Sequence, residues 1–194
     1  MMKQNNCKKF FRPQQTHFIG VLPSDDLTLT LEDCRRYMGE CYGCKSGYGT
    51  PIHVTLLPPF RLSEGYSTGD LVQTLKTGLS DCVGGASFDA DVEGFDAFGD
   101  RTIFAKVLAD EKWEGLRDKV FSLVSQAFPG CVKKDARPFQ PHLTVANRDI
   151  PAGASVAALK TLAELELSDG FPVDNVTVFE RVDGKWRVAC SICI

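Results

Sequence analysis

Two of the three histidines in this 194-residue chain occupy nearly the same local sequence, Ile52-His53-Val54-Thr55-Leu56 and Pro141-His142-Leu143-Thr144-Val145. In a strand, side chains two apart share a face, so each segment presents an imidazole and a hydroxyl together and turns its apolar neighbours the other way. An imidazole titrates near pH ~6.5, so of two rings in one site one can accept a proton while the other donates one. That pairing suits in-line displacement at phosphorus, which needs a base on the attacking oxygen and an acid on the leaving oxygen. The threonine hydroxyls can bond the non-bridging oxygens, where charge sits in the transition state. The scheme requires no metal and no cofactor. His17, in Thr-His-Phe-Ile-Gly, has no threonine two residues on and reads as structural.

Positioning these residues calls for strands and helices in alternation. Residues 16–22 (THFIGVL) read as a strand ended by Pro23, Ser24 and Asp25, followed by a helix from about Leu31 to Cys41 and a glycine-rich loop, YGCKSGYG. Residues 51–57 form a second strand, which Pro58 and Pro59 stop. Leu71, Leu75 and Leu79 mark a helix, and residues 87–98 and 101–109 form strands joined at Gly99–Asp100. Trp113, Leu116, Val120, Leu123, Val124 and Ala127 mark an amphipathic helix over 111–128. A strand at 141–147, a helix over about 154–166 and a hairpin from Phe171 turning at Asp183–Gly184 complete the chain. The tight hairpins imply antiparallel pairing, and no G-x-G-x-x-G or Walker sequence is present, so a mixed α+β arrangement is expected over a doubly wound parallel sheet. The two halves echo each other, each with a long helix upstream of its His-x-Thr strand.

Bulk properties narrow the classes further. The length suits one domain, or two close lobes sharing a cleft; residues 1–15 read as a leader and 16–194 as the folded unit. Hydrophobic residues make up 43% and charged residues 24%, ordinary for a soluble globular chain, and no apolar run is long enough for a membrane helix. The N-terminus, MMKQNNCKKFFRPQQ, lacks the apolar core of a secretory signal, so a cytoplasmic location is expected. A net charge of −3 argues against coating of nucleic acid through a broad basic surface and leaves room for a small phosphate pocket. Eight cysteines include two C-x-x-C pairs, Cys41/Cys44 and Cys190/Cys193, which raise a four-thiolate zinc site as an alternative. Packing accounts for them more simply. Cys34, Tyr37, Met38 and Cys41 form a helical stripe, and residues three apart in a strand face opposite ways.

The paired His-x-Thr motifs, with THFIGVLPSDD before the first helix, HVTLLPPF, FQPHLTVAN and FERVDGKWRV, resemble the 2H phosphoesterase superfamily, which includes 2′-5′ RNA ligases and cyclic phosphodiesterases. The resemblance covers the chain from about residue 16 onward. It implies a bilobal α+β fold: two antiparallel-rich sheets with flanking helices around a central cleft, related by a pseudo-twofold duplication. Carried over, the catalytic residues are His53, Thr55, His142 and Thr144. The implied activity is metal-independent cleavage of 2′,3′-cyclic phosphates or 2′-5′ RNA-type linkages. One departure stands out: where some 2′-5′ RNA ligases carry a basic residue after the first motif, this chain has Leu57, followed by Pro58-Pro59-Phe60-Arg61.

The implied partner is an RNA end or a cyclic nucleotide, with no membrane and no metal, and a monomer is the simplest assembly. Phosphate recognition recruits cations and base recognition recruits aromatics. Near the motifs these are Arg61, Arg101 (with Lys106 on the same strand) and Arg148, and Tyr48, Phe60 and Phe139. The alternative reading is a non-catalytic module that binds RNA ends or nucleotides in the same pocket.

Overall fold

The computed structural model describes residues 14–80 and 87–194, which places most of the expected leader outside the described residues. The elements run β1 (His17–Val21), α1 (Asp25–Tyr42), β2 (Val54–Phe60), α2 (Thr68–Ser80), β3 (Phe88–Phe98), β4 (Thr102–Val107), α3 (Glu111–Ala127), β5 (His142–Asn147), α4 (Ala154–Ala163), β6 (Ser168–Val173), β7 (Asn175–Val182) and β8 (Lys185–Cys193). The fold is α+β, with every strand pair antiparallel.

Instead of two separate sheets there is one of eight strands, ordered β6-β3-β4-β5-β2-β1-β7-β8. Its two four-stranded halves meet at β2 and β5, the strands of the two motifs, through a single residue pair, Val54 opposite Leu143. Asp174 alone connects β6, at one margin, to β7, next to the other margin. Two residue steps reach about 7 Å at most, so the sheet bends until its halves approach. The helices cross between halves: α1, which precedes β2, packs on β5, and α3, which precedes β5, packs on β2. Leu27, Leu31, Cys34 and Met38 of α1, Leu71, Leu75 and Leu79 of α2, and Trp113, Leu116, Val120 and Val124 of α3 are buried against the sheet.

Three boundaries differ from the sequence reading. Helix α1 starts at Asp25, because the Ser24 side chain accepts the Leu27 N–H and Asp25 and Asp26 sit in the first turn, where acidic side chains complement the helix dipole. Strand β2 begins after His53 and runs through Pro58 and Pro59. The prolines are tolerated at a bulge: Leu57 and Phe60, three apart, oppose Ile19 and His17, two apart. Residues 168–173 form a separate strand on β3, so the terminal hairpin begins at Asn175. Its turn is the expected Asp183–Gly184, with φ of 49° and 78° as a type I′ turn requires.

Cys41 faces solvent at the end of its stripe, and Cys34, Cys41, Cys44, Cys131, Cys190 and Cys193 are free thiols. Among the described residues no group of three or more His, Cys, Asp or Glu side chains is placed to hold a metal ion. Among them, too, no helix is long and apolar enough to cross a membrane.

Candidate active site

Alternation along β2 and β5 decides what faces the gap between the halves. Ile52, Val54 and Leu56, and likewise Leu143 and Val145, are buried, while His53, Thr55, His142 and Thr144 are half-buried and line one cavity of about 300 Å³. Both strands bulge immediately after the motif threonine. Thr55 and Leu57 oppose the adjacent residues Gly20 and Ile19, leaving Leu56 extra; Thr144 and Ala146 oppose Phe104 and Ile103, leaving Val145 extra. Bulges twist a strand and re-aim its side chains. Here the same device falls at the same place in both motifs.

Each ring is oriented in the same way. His53 Nδ1 lies 2.7 Å from the Pro51 carbonyl and His142 Nδ1 lies 2.8 Å from the Gln140 carbonyl, in both cases two residues upstream. A carbonyl only accepts, so Nδ1 carries the proton in each neutral ring and Nε2 is left with its lone pair for the cavity. The rings also rest on matching aromatic pairs. His53 packs on Phe18 (4.6 Å between centroids) and Phe179 (5.2 Å), themselves stacked at 4.2 Å. His142 packs on Phe104 (5.1 Å) and Phe98 (5.2 Å), themselves 4.3 Å apart. Gly20 makes room for the first ring: a Cβ there would lie 2.6 Å from the Val54 carbonyl oxygen and 3.4 Å from His53 Cδ2.

Burial pushes the His53 pKa down to about 4, aided by the neighbouring Arg35 and His142 charges and opposed by its bond to Pro51. Burial also lowers His142, less far, against its bond to Gln140. A ring kept neutral in the fold leaves stability whole above its unfolded pKa of ~6.5 and erodes it as the pH falls through the window down to about 4. Because the ring edge opens to the cavity, we expect about 2 kcal/mol of pH-dependent stability from His53 rather than the full shift. Urea unfolding at pH 7 and pH 4.5 should show this loss in the wild type and a smaller one in His53→Gln.

Sequence reasoning missed Arg35. It lies on the buried stripe of α1, four residues after Leu31, and is only 3% exposed. Its Nη1 donates to the Thr50 carbonyl (2.6 Å) and to Glu32 (2.9 Å), and its Nε and Nη2 donate to the Thr144 carbonyl (3.3 and 3.1 Å). The cation therefore bridges the approach to the first motif and the strand of the second. A charged residue interrupting an apolar helical stripe was the available signal. Phe18, Phe98 and Trp186, also missed, wall the same cavity, as do Ser46 and Asn147.

Of the substrate-binding candidates, Arg148 lines the cavity. It takes a left-handed φ of 73°, unusual for a side chain that is not glycine, and its N–H donates to the Arg101 carbonyl at 2.7 Å. The next residue, Asp149, accepts the backbone N–H groups of Lys45 (2.6 Å) and Ser46 (2.8 Å), and the Ser46 hydroxyl donates to the Asn147 carbonyl. The glycine-rich loop after α1 is thus strapped to the exit of β5. The other candidates stand elsewhere. Phe60 is core; Arg61 faces Glu64 at 3.9 Å; the Tyr48 hydroxyl donates to the Arg35 carbonyl; Phe139 lies under Arg117 at 4.9 Å; and Arg101 and Lys106 are exposed beside the cavity rather than in its wall. His17 is buried and bonded to Thr16 and Thr68, away from this site.

The eight-stranded antiparallel sheet with its flanking helices has counterparts among solved structures. A Thermus thermophilus protein is 22% identical, with 92% of this chain and 97% of that one covered and a TM-score of 0.60. Escherichia coli LigT complexed with 3′-AMP is 14% identical, covering 93% and 98%, with a TM-score of 0.61. The MHV ns2 PDE domain is 14% identical, covering 93% and 99%, with a TM-score of 0.52. Their fold is that of this chain. No curated protein sequence matches. A sequence model of the 2′-5′ RNA ligase superfamily matches residues 23–185, and the chain belongs to that family, within the 2H phosphoesterases.

Proposed function

We propose that the protein is a metal-independent phosphodiesterase that opens 2′,3′-cyclic phosphates or cleaves 2′-5′ RNA-type phosphodiesters. The observation that carries this reading is the matched orientation of two imidazoles, each with Nδ1 tied to a carbonyl and Nε2 directed to one cavity. Family membership and the 3′-AMP bound by Escherichia coli LigT support a nucleotide-type substrate.

His53, the ring more strongly held neutral, is the base, and His142 is the acid. In hydrolysis of a cyclic phosphate, His53 Nε2 takes a proton from water as the water oxygen bonds to phosphorus. The bond to the leaving ribose oxygen breaks, and His142 Nε2–H protonates that oxygen. Solvent exchange then returns the extra proton from His53 and restores the one lost by His142. Thr55 and Thr144 donate to the non-bridging oxygens, and Arg148 at the cavity wall adds a cation. Phe98, 40% exposed, and Trp186, both in the cavity wall, offer faces for a base.

With the base depressed to about 4 and the acid below 6.5, the productive protonation state dominates on the acid side of neutrality. We expect kcat/KM for a 2′,3′-cyclic mononucleotide to be bell-shaped, rising through about pH 4 and falling before pH 7 as His142 loses its proton. Tight binding of the nucleotide, unchanged between pH 5 and 8 and with no product formed, would instead describe a binding module.

A further inference from the structure

The two motif strands pair only once, at Val54–Leu143. Beyond that pair, Thr144 has no residue of β2 opposite it, and its carbonyl accepts from Arg35 instead. A buried carbonyl needs a partner, and α1 supplies one by crossing over to β5. Arg35 thus sets a permanent cation between β5 and the segment that leads into His53, and it lines the cavity with both histidines.

Its donors can be counted. A guanidinium has five N–H groups in a rigid fork. Nε is used on the Thr144 carbonyl, both Nη1 protons on Glu32 and the Thr50 carbonyl, and one Nη2 proton on the Thr144 carbonyl again. Among the described residues the second Nη2 proton has no acceptor. The charge is also incompletely balanced. Two of the three acceptors are neutral carbonyls, and the side chain of Glu32, the one anionic partner, is 44% exposed to water against 4% for Arg35. A buried cation held in that way favours an anion on its open side.

We propose that Arg35 is part of the phosphate site, its free Nη2–H donating to a non-bridging oxygen between the two histidines while its other donors tie β5 to the segment leading into His53. This rests on the proposed phosphodiester chemistry and adds a binding residue to it. A residue that only held the strands would be insensitive to phosphate. One that binds the anion would lose affinity in proportion to the charge and fork removed.

The test is inorganic phosphate binding, followed by NMR of the histidine rings, in wild type, Arg35→Lys, Arg35→Met and the two His→Ala variants, with folding checked by thermal unfolding. A charge-assisted bond is worth about 1.5–3 kcal/mol, so Arg35→Met should weaken phosphate by about tenfold to a hundredfold, and Arg35→Lys by less. A folded Arg35→Met that binds phosphate as the wild type does would overturn this inference and leave the proposed activity standing. Wild type that does not bind phosphate, or binds it unaffected by both His→Ala changes, would overturn both. Should Arg35→Met fail to fold, wild-type protein labelled at the arginine guanidinium nitrogens decides. The Arg35 Nη resonances should shift with phosphate and stay put with chloride, and no shift would overturn the inference.

Discussion

Replacing His53 or His142 with alanine should each lower kcat on a 2′,3′-cyclic nucleotide by about 10²–10⁴-fold, with the protein still folded. In the proposed mechanism each Nε2 has its own proton to move, and no other described titratable ring lines the cavity. The double variant should be little worse than the poorer single one, because a base without its acid partner already leaves the displacement uncatalysed at one end. Stability should change modestly, since both rings are half-buried at the rim of the cavity rather than in the core. Steady-state rates beside thermal unfolding of the same preparations check both parts. Additive losses would mean that the two rings act on separate steps.

The second large effect is expected at Gly20. A side chain there meets the backbone oxygen of Val54, which cannot rotate away, and then the His53 ring and Phe179. Gly20→Val should therefore cost about 3 kcal/mol of stability and lower the midpoint of thermal unfolding by about 6–12 °C, by overpacking at a strand junction. Activity should fall further than stability alone explains, because His53 has to shift. Gly115→Ala is the contrast. That position lies within α3, a Cβ there meets nothing within 4 Å, and the change should stabilise by about 1 kcal/mol with activity intact.

How much of this was legible in the sequence depends on the range of the interaction that decides each feature. Strand periodicity put His53 beside Thr55 and His142 beside Thr144 on one face, and the burial of Val54, Leu56, Leu143 and Val145 follows the same alternation. The leucine stripe of α2 and the Asp183–Gly184 turn were equally local signals, and both hold. Local rules misled where long-range contacts compensate them. Pro58 and Pro59 break a strand that must donate along its ladder, but a bulge opposite β1 removes that need. The stretch from Phe171 to Val182 reads as one strand, yet Asp174 divides it between opposite sides of the sheet. Arg35 and Trp186 come to the cavity only because α1 crosses to β5 and the last hairpin folds onto β1. The local alternation that placed the histidines could not reach either of them, nor tell Arg148 in the cavity from Arg61 and Arg101 outside it.

The most direct measurement is turnover of a panel of phosphodiesters by the wild-type protein in excess EDTA, with products identified by phosphorus NMR. The panel holds 2′,3′-cyclic mononucleotides, 2′-5′ oligoadenylate and ADP-ribose cyclic phosphate. Two histidines acting as base and acid predict turnover of at least one member, unchanged when a divalent metal is added back. Turnover that vanishes in EDTA and returns with a divalent metal would contradict that chemistry.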